Sequence, residues 1–289
     1  MKTLLTLSGE RPPASLFRDF PGAGLIRSEY LFRFCEEYPT ATSAPKIIGE
    51  YFEYLRGVAP DLPLWYRTLE VTTSEANVLA GVEQSYPGPE NDLMGLRGVR
   101  RSIAHPEALD AELDALAQMR ETMPAIGVIA PFVATEEEVA WFAGRVRERM
   151  GDEVPIASMI ETPAALLACA EILRVPGVNH VVVGCNDLSS LLDARRRVLG
   201  ESTRLSASLA TAIRMVRDAT RAAGATMTVA GYLTPEIVAV AKGVDADAVS
   251  VHYCDLPAIA GPAYADLPDL DRVAHVKQLT RRRMRENTV

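Results

Sequence analysis

Short apolar or β-branched runs recur along the chain at residues 3–7, 24–27, 64–69, 126–131, 155–160, 181–183, 227–229 and 249–251. They are continuous rather than alternating, which is the pattern of strands covered on both faces in a parallel sheet. The intervals between them carry helical spacing. Within 107–123, Leu109, Leu113, Leu116 and Met119 fall on one helical face. Thr135 and Glu138 are spaced as a capping box ahead of Val139, Phe142, Val146 and Met150. Thr234-Pro235 has the cap and first-turn pattern that opens a further helix. Eight strands alternating with helices predict an α/β protein of the (β/α)8 TIM-barrel type rather than a doubly wound open sheet. No linker rich in Gly, Ser or Pro divides the chain, so residues 1–289 read as a single domain. The polar stretch 74–92, with Pro87-Gly88-Pro89, reads as a long loop after the third strand at the active face.

Composition narrows the class without naming a function. A length of 289 residues suits one barrel, and 48% hydrophobic with 24% charged residues is ordinary for a globular protein. The opening apolar run is too short for a signal peptide, and no run of membrane-spanning length exists, so a cytoplasmic protein without a membrane partner is expected. Cys35, Cys169, Cys185 and Cys254 lack metal-ligand or paired spacing, so reduced thiols are expected and zinc is not. A net charge of -8 argues against a nucleic-acid partner. Arg281, Arg282, Arg283 and Arg285 form a local basic tail, read as a solvated helix end. Phe132, Trp141 and Phe142 read as core. His105 and His180 fall at expected loop or pre-strand positions, and His275 in a C-terminal helix.

In such a barrel, residues at the carboxyl ends of the strands face the active site. Two of these runs end in acids: Ile156-Ala-Ser-Met-Ile-Glu161 and Val181-Val-Val-Gly184-Cys-Asn186-Asp187. Glu161 and Asp187 can share one divalent ion, and two carboxylates beside an oxygen-rich substrate suit magnesium. Each also stands where it can cap the next helix. Arg27, Arg67 and Arg97 fall near the same end, a set suited to clamping a small anion. Tyr232 and His252 come after the seventh and eighth strands and are the candidates for a proton shuttle, the histidine because it titrates near neutral pH.

In this order these segments resemble the C-terminal barrel of the phosphoenolpyruvate-utilising enzymes, the family of pyruvate phosphate dikinase, phosphoenolpyruvate synthase and enzyme I of the sugar phosphotransferase system. The segments are Gly24-Leu-Ile-Arg27-Ser-Glu, Arg67-Thr-Leu-Glu70, Asn91 to Arg100, Met159-Ile-Glu161-Thr-Pro163 and Gly184-Cys-Asn186-Asp187-Leu188. The resemblance covers nearly the whole chain. It implies that Glu161 and Asp187 bind Mg2+ or Mn2+. It implies too that Arg27, Arg67, Arg97, Gly184 and Asn186 hold the carboxylate and the phosphate or enolate, and it makes a homodimer the expected assembly. Arg67, Tyr232 and His252 are the catalytic candidates.

Four departures from the family pattern stand out. Ala230-Gly231-Tyr232 occupies the place of the family's Cys-Gly-Glu, whose cysteine protonates the enolate carbon. Glu75 lies near the place of a family lysine, Asp92 replaces the usual proline, and Arg196-Arg197 replaces an Asp-Arg pair. A second similarity, in Val175-Pro-Gly-Val178 and Val183-Gly-Cys-Asn186-Asp187-Leu-Ser189, is to the magnesium-dependent class II aldolases of the citrate lyase β-subunit group. Together they imply a magnesium-dependent enzyme acting through a pyruvate-type enolate, with carbon-carbon lyase or aldolase chemistry first. A phosphoenolpyruvate-dependent phosphotransferase using a separate carrier, and a non-catalytic phosphoenolpyruvate-binding regulator, are the alternatives.

Overall fold

Each apolar run becomes a strand in the computed structural model, which describes residues 1–82, 96–195 and 203–286. The strands are β1 (Lys2–Leu7), β2 (Ala23–Arg27), β3 (Leu64–Arg67), β4 (Ile126–Ala130), β5 (Ile156–Ile160), β6 (Val178–Gly184), β7 (Thr226–Gly231) and β8 (Ala248–His252). Each is parallel to the next, and β8 pairs back onto β1 with His252 opposite Thr6, which closes the barrel. Continuous apolar sequence follows from this closure. One side of each strand meets the helices and the other meets the barrel interior, so β2, β4, β5 and β8 are buried at every position.

Inside the barrel, Leu25, Ile129, Ala157, Met159, Val182 and Ala230 make one cluster against Trp65. Trp65 lies opposite Gly127 near the amino-terminal end and stacks on His180 with ring centroids 4.8 Å apart. The sequence places His180 before its strand; the structure places it within β6, buried, with Nδ1 2.7 Å from Thr226 Oγ1. Burial holds this histidine down at about 4, so it is a neutral floor residue and not part of the chemistry at the other end.

The helix predicted at 107–123 runs from Pro106 to Arg120, with Leu109, Leu113 and Leu116 buried and Met119 at the margin of the core. Phe142 is fully buried, whereas Trp141 is only partly covered. Thr135 accepts from the Glu138 N–H, but the Glu138 carboxylate turns back to the N–H of Ala134, so the box closes one residue early. A complete capping box forms instead at Thr72 and Glu75, opening a helix at Thr73–Ala76 that overlaps the start of the stretch expected to be loop. Residues 83–92 of that stretch, with Asn91 and Asp92, lie outside the described residues, as do Arg196 and Arg197. Thr234 caps its helix as predicted, accepting from Ile237 N–H with Pro235 in the first turn. Among the described residues no helix is long and apolar enough to cross a membrane.

The last helix, Arg272–Glu286, has a consequence for the site. Val273 and Val276 bury their side chains against Tyr30, which anchors this helix on the one after β2. Arg282 and Arg283 pair with Glu286 and Glu36 at the surface, as a solvated helix end should. Arg281 is exposed as well, and it also lines the cavity at the carboxyl ends of the strands.

Candidate functional site

The carboxyl ends of the strands open into a cavity of about 850 Å3. Arg27, Arg67 and Arg97 line it, and so do Glu161, Gly184, Asn186, Asp187, Tyr232 and His252. Every candidate site residue is therefore brought to one place, although the chain separates the first from the last by more than two hundred residues.

Arg27 ends β2 and donates through Nε and Nη2 to Ser8 Oγ at 2.9 and 2.6 Å, with its guanidinium 4.2 Å above the Tyr30 ring. Arg67 ends β3 and donates to Glu29 Oε1 at 2.6 Å. The same guanidinium lies 3.7 Å from Glu70 and 3.8 Å from Glu161. Arg97 meets Glu70 at 2.7 Å and Asp187 at 4.0 Å, and rides 4.1 Å over the Phe132 ring. Phe132, read from the sequence as core, is buried but serves as the platform of this arginine.

Glu161 follows β5 and accepts the Phe132 N–H at 3.0 Å, while the neighbouring Thr162 takes the capping role, accepting from Ala165 N–H. Asp187 lies in the first turn of the helix Cys185–Leu192, past the capping position. Gly184 acts by absence of a side chain. A Cβ there would lie 2.7 Å from both Cβ and Oε2 of Glu161, so glycine is what lets the carboxylate stand against β6. Asn186 accepts the Tyr232 N–H at 2.9 Å and the Thr203 hydroxyl through Oδ1, which leaves its amide N–H groups as donors. Tyr232 stacks on His252, centroids 4.5 Å apart and planes 12° from parallel.

Several cavity residues lie outside the set that the sequence singles out. Glu29 and Glu70 sit inside the quoted Arg27 and Arg67 segments, and Glu75 pairs with Arg33. Lys277 and Arg281 come from the last helix; no local motif marks Lys277, and the sequence marks Arg281 only as part of the basic tail.

The carboxylates divide into two kinds. Burial opposes the charge of Glu70, but Arg97 and Arg67 outweigh it and hold the group at about 2. Burial likewise opposes the charge on Arg67, and Glu29, Glu161 and Glu70 hold it above the usual range. Glu161 is different: burial pushes it up to about 7, Arg67 pulls it down only in part, and Asp187 and Glu70 add repulsion. Asp187 thus adds to the penalty on a Glu161 carboxylate whose contact with Arg67 is long. A divalent cation between them would relieve that repulsion. Among the described residues no group of three or more His, Cys, Asp or Glu is placed to hold a metal. Two carboxylates fit an ion that keeps several non-protein oxygen ligands, which describes magnesium.

Residues 14–262 match the model of the phosphoenolpyruvate-binding domain of the phosphoenolpyruvate-utilising enzymes. Phosphoenolpyruvate synthase of Pyrococcus furiosus is 31% identical over 180 residues, covering 58% of this chain and 22% of that protein. Phosphoenolpyruvate-protein phosphotransferase of Streptomyces coelicolor is 29% identical over 253 residues, covering 85% of this chain and 44% of that protein. The chain spans less than half the length of these curated relatives. Among solved structures, an HpcH/HpaI aldolase from Desulfitobacterium hafniense superposes with a TM-score of 0.52 at 16% identity, covering 90% of this chain and 87% of that one. An HpcH/HpaI aldolase/citrate lyase family protein from Burkholderia cenocepacia gives 0.54 at 12% identity, covering 100% and 95%. At such identities these two likenesses speak for the shared barrel alone. The family match extends from before Arg27 to beyond His252, and the chain belongs to the phosphoenolpyruvate-binding domain family of the phosphoenolpyruvate-utilising enzymes.

Proposed function

We propose that this chain is a magnesium-dependent enzyme, with manganese as the substitute ion, that forms and protonates the enolate of phosphoenolpyruvate, pyruvate or a related small 2-oxo acid. Carbon-carbon lyase or aldolase chemistry is the first reading. The observation that carries it is the meeting of two carboxylates, Glu161 and Asp187, with Arg27, Arg67 and Arg97 around one cavity. Glu161 and Asp187 would hold the ion, which neutralises charge growing on the enolate oxygen. Arg27 and Arg97 are positioned to clamp the carboxylate and any phosphate, since guanidinium groups meet such anions in two-point fashion. Arg67, fixed by Glu29, presents a positive charge that need not reorganise as the substrate becomes an enolate.

Lyase chemistry is favoured over phosphoryl transfer by what lines the strand-seven position. Ala230 is there, no thiol lines the cavity among the described residues, and the nearby Cys185 is buried and pushed up to about 12. The phosphotransferase reading has one specific support, the Streptomyces coelicolor relative that aligns with 85% of the chain.

Proton NMR of pyruvate in deuterated buffer, with Mg2+ and the protein, separates these readings. Loss of the methyl signal with the wild-type chain, and its persistence with Glu161→Gln, is the expected result. A persistent signal with the wild-type chain would sink the enolate reading. Labelling of an added carrier protein from phosphoenolpyruvate would then favour the transferase, and magnesium-dependent oxalate binding alone would favour a regulator.

A further inference from the structure

An enolate must receive its proton from a group in the cavity, and Lys277 bears on which group that is. Lys277 Nζ donates to the Tyr232 hydroxyl oxygen at 2.8 Å and lies 5.1 Å from the centre of its ring. Tyr232 is held from two further sides: its ring stacks on His252 and its backbone N–H is bound by Asn186. With the ring held in this way, the direction of the O–H depends on what meets the hydroxyl oxygen. An ammonium that donates to the oxygen occupies a lone pair and directs the O–H elsewhere. It also favours the phenolate over the phenol.

We propose that Lys277 is a positioning residue that makes the Tyr232 hydroxyl the proton carrier at the enolate carbon. This rests on the enolate reading of the site. In the protonation direction, the electron pair of the enolate C=C takes the Tyr232 proton, so a C–H bond forms and the O–H bond breaks. The phenolate, hydrogen-bonded to Lys277, recovers a proton from water entering the cavity. In the reverse direction the phenolate removes a methyl proton of pyruvate. Lys277 on the last helix and Arg27 at the end of β2 bear on Tyr232 electrostatically, His252 at the end of β8 stacks on its ring, and Arg281 lines the same cavity. Asp255 acts on Lys277 from beyond this circle.

The test uses the full chain with Mg2+ and follows methyl exchange of pyruvate against pH. Tyr232→Phe is expected to lower the exchange rate by at least about a hundredfold, within the range that a general acid or base supplies. Lys277→Met is expected to lower the rate and move the rising limb of its pH profile, where the phenolate forms, to higher pH, with KM for pyruvate and magnesium-dependent oxalate binding little changed. Lys277→Arg, which restores a cationic donor, is expected to recover the profile. A wild-type profile in Lys277→Met, or a full rate in Tyr232→Phe, overturns the inference while leaving the enolate reading intact. Absence of exchange by the wild-type chain removes both. A KM rise without a change in rate or profile would assign Lys277 to substrate binding and equally overturn it.

Discussion

Glu112 has no part in the cavity, yet its carboxylate supports one side of it. It is fully buried, accepts the Tyr66 hydroxyl at 2.7 Å through Oε1, and accepts the Leu69 N–H at 2.9 Å through Oε2. Both donors flank Arg67, so one side chain on the helix Pro106–Arg120 pins the end of β3 on either side of the central arginine. Burial pushes Glu112 up to about 7, only partly offset by these two hydrogen bonds. An acid raised in the folded state binds its proton more tightly there than in the unfolded chain. Its contribution is therefore complete below the ordinary glutamate value and is lost as pH rises through about 7. We expect urea unfolding of the wild-type chain to show such a loss from this residue between pH 4.5 and 7, and Glu112→Gln to flatten it. Glu112→Ala should cost about 2–6 kcal/mol at pH 6, because two buried donors lose their acceptor at roughly 1–3 kcal/mol each. A cost below about 1 kcal/mol would show that water replaces the carboxylate.

At the scale of elements, the turn that delivers Arg97 depends on one conformation. Gly98 opens the helix Gly98–Ala104 at φ +54°, and a Cβ there would lie 2.3 Å from the Pro131 carbonyl oxygen and 2.7 Å from Phe132 Cβ. Gly98→Ala must therefore push the helix start away from the β4 end, carrying Arg97 off the Phe132 ring. A destabilisation of about 1–3 kcal/mol is expected from the strained backbone, together with a weaker oxalate affinity measured by calorimetry. Unchanged affinity would mean that Arg97 does not touch the ligand. The strands and most helices are legible in the sequence because continuous apolar runs and 3.6-residue spacing are local signals. The cavity residues at strand ends are legible for the same reason, since each terminates a recognisable run. Lys277 is not, because its role depends on where Val273 and Val276 seat the last helix, and that is a tertiary fact. Glu112 leaves a fainter trace: it falls with Leu109, Leu113 and Leu116 on the apolar face of its helix, where a charged residue calls for buried partners. The Thr72 capping box is masked by the polar, turn-rich composition of the residues after it.

For the molecule as a whole, charge is segregated. The chain carries a net charge of -8, yet among the described residues the cavity is lined by eight Lys and Arg side chains against five Asp and Glu. A divalent cation held by Glu161 and Asp187 would widen that excess. An anionic substrate thus approaches a chain of net negative charge through a mouth where the exposed Arg195, Arg204 and Arg281 line the rim. Such a field acts on the encounter more than on the bound complex, since charges separated by more than a Debye length are screened while close pairs are not. Oxalate or phosphoenolpyruvate should therefore associate with a rate that falls by about tenfold as NaCl rises from roughly 0.01 to 0.5 M at fixed Mg2+, over which the screening length contracts from about 30 Å to a few ångströms. Dissociation should change far less. Stopped-flow binding at several salt concentrations separates the two constants. If salt acted chiefly on dissociation, the rim arginines would be bound to the ligand itself, and the cavity would have to close over it with Arg281 as part of the clamp.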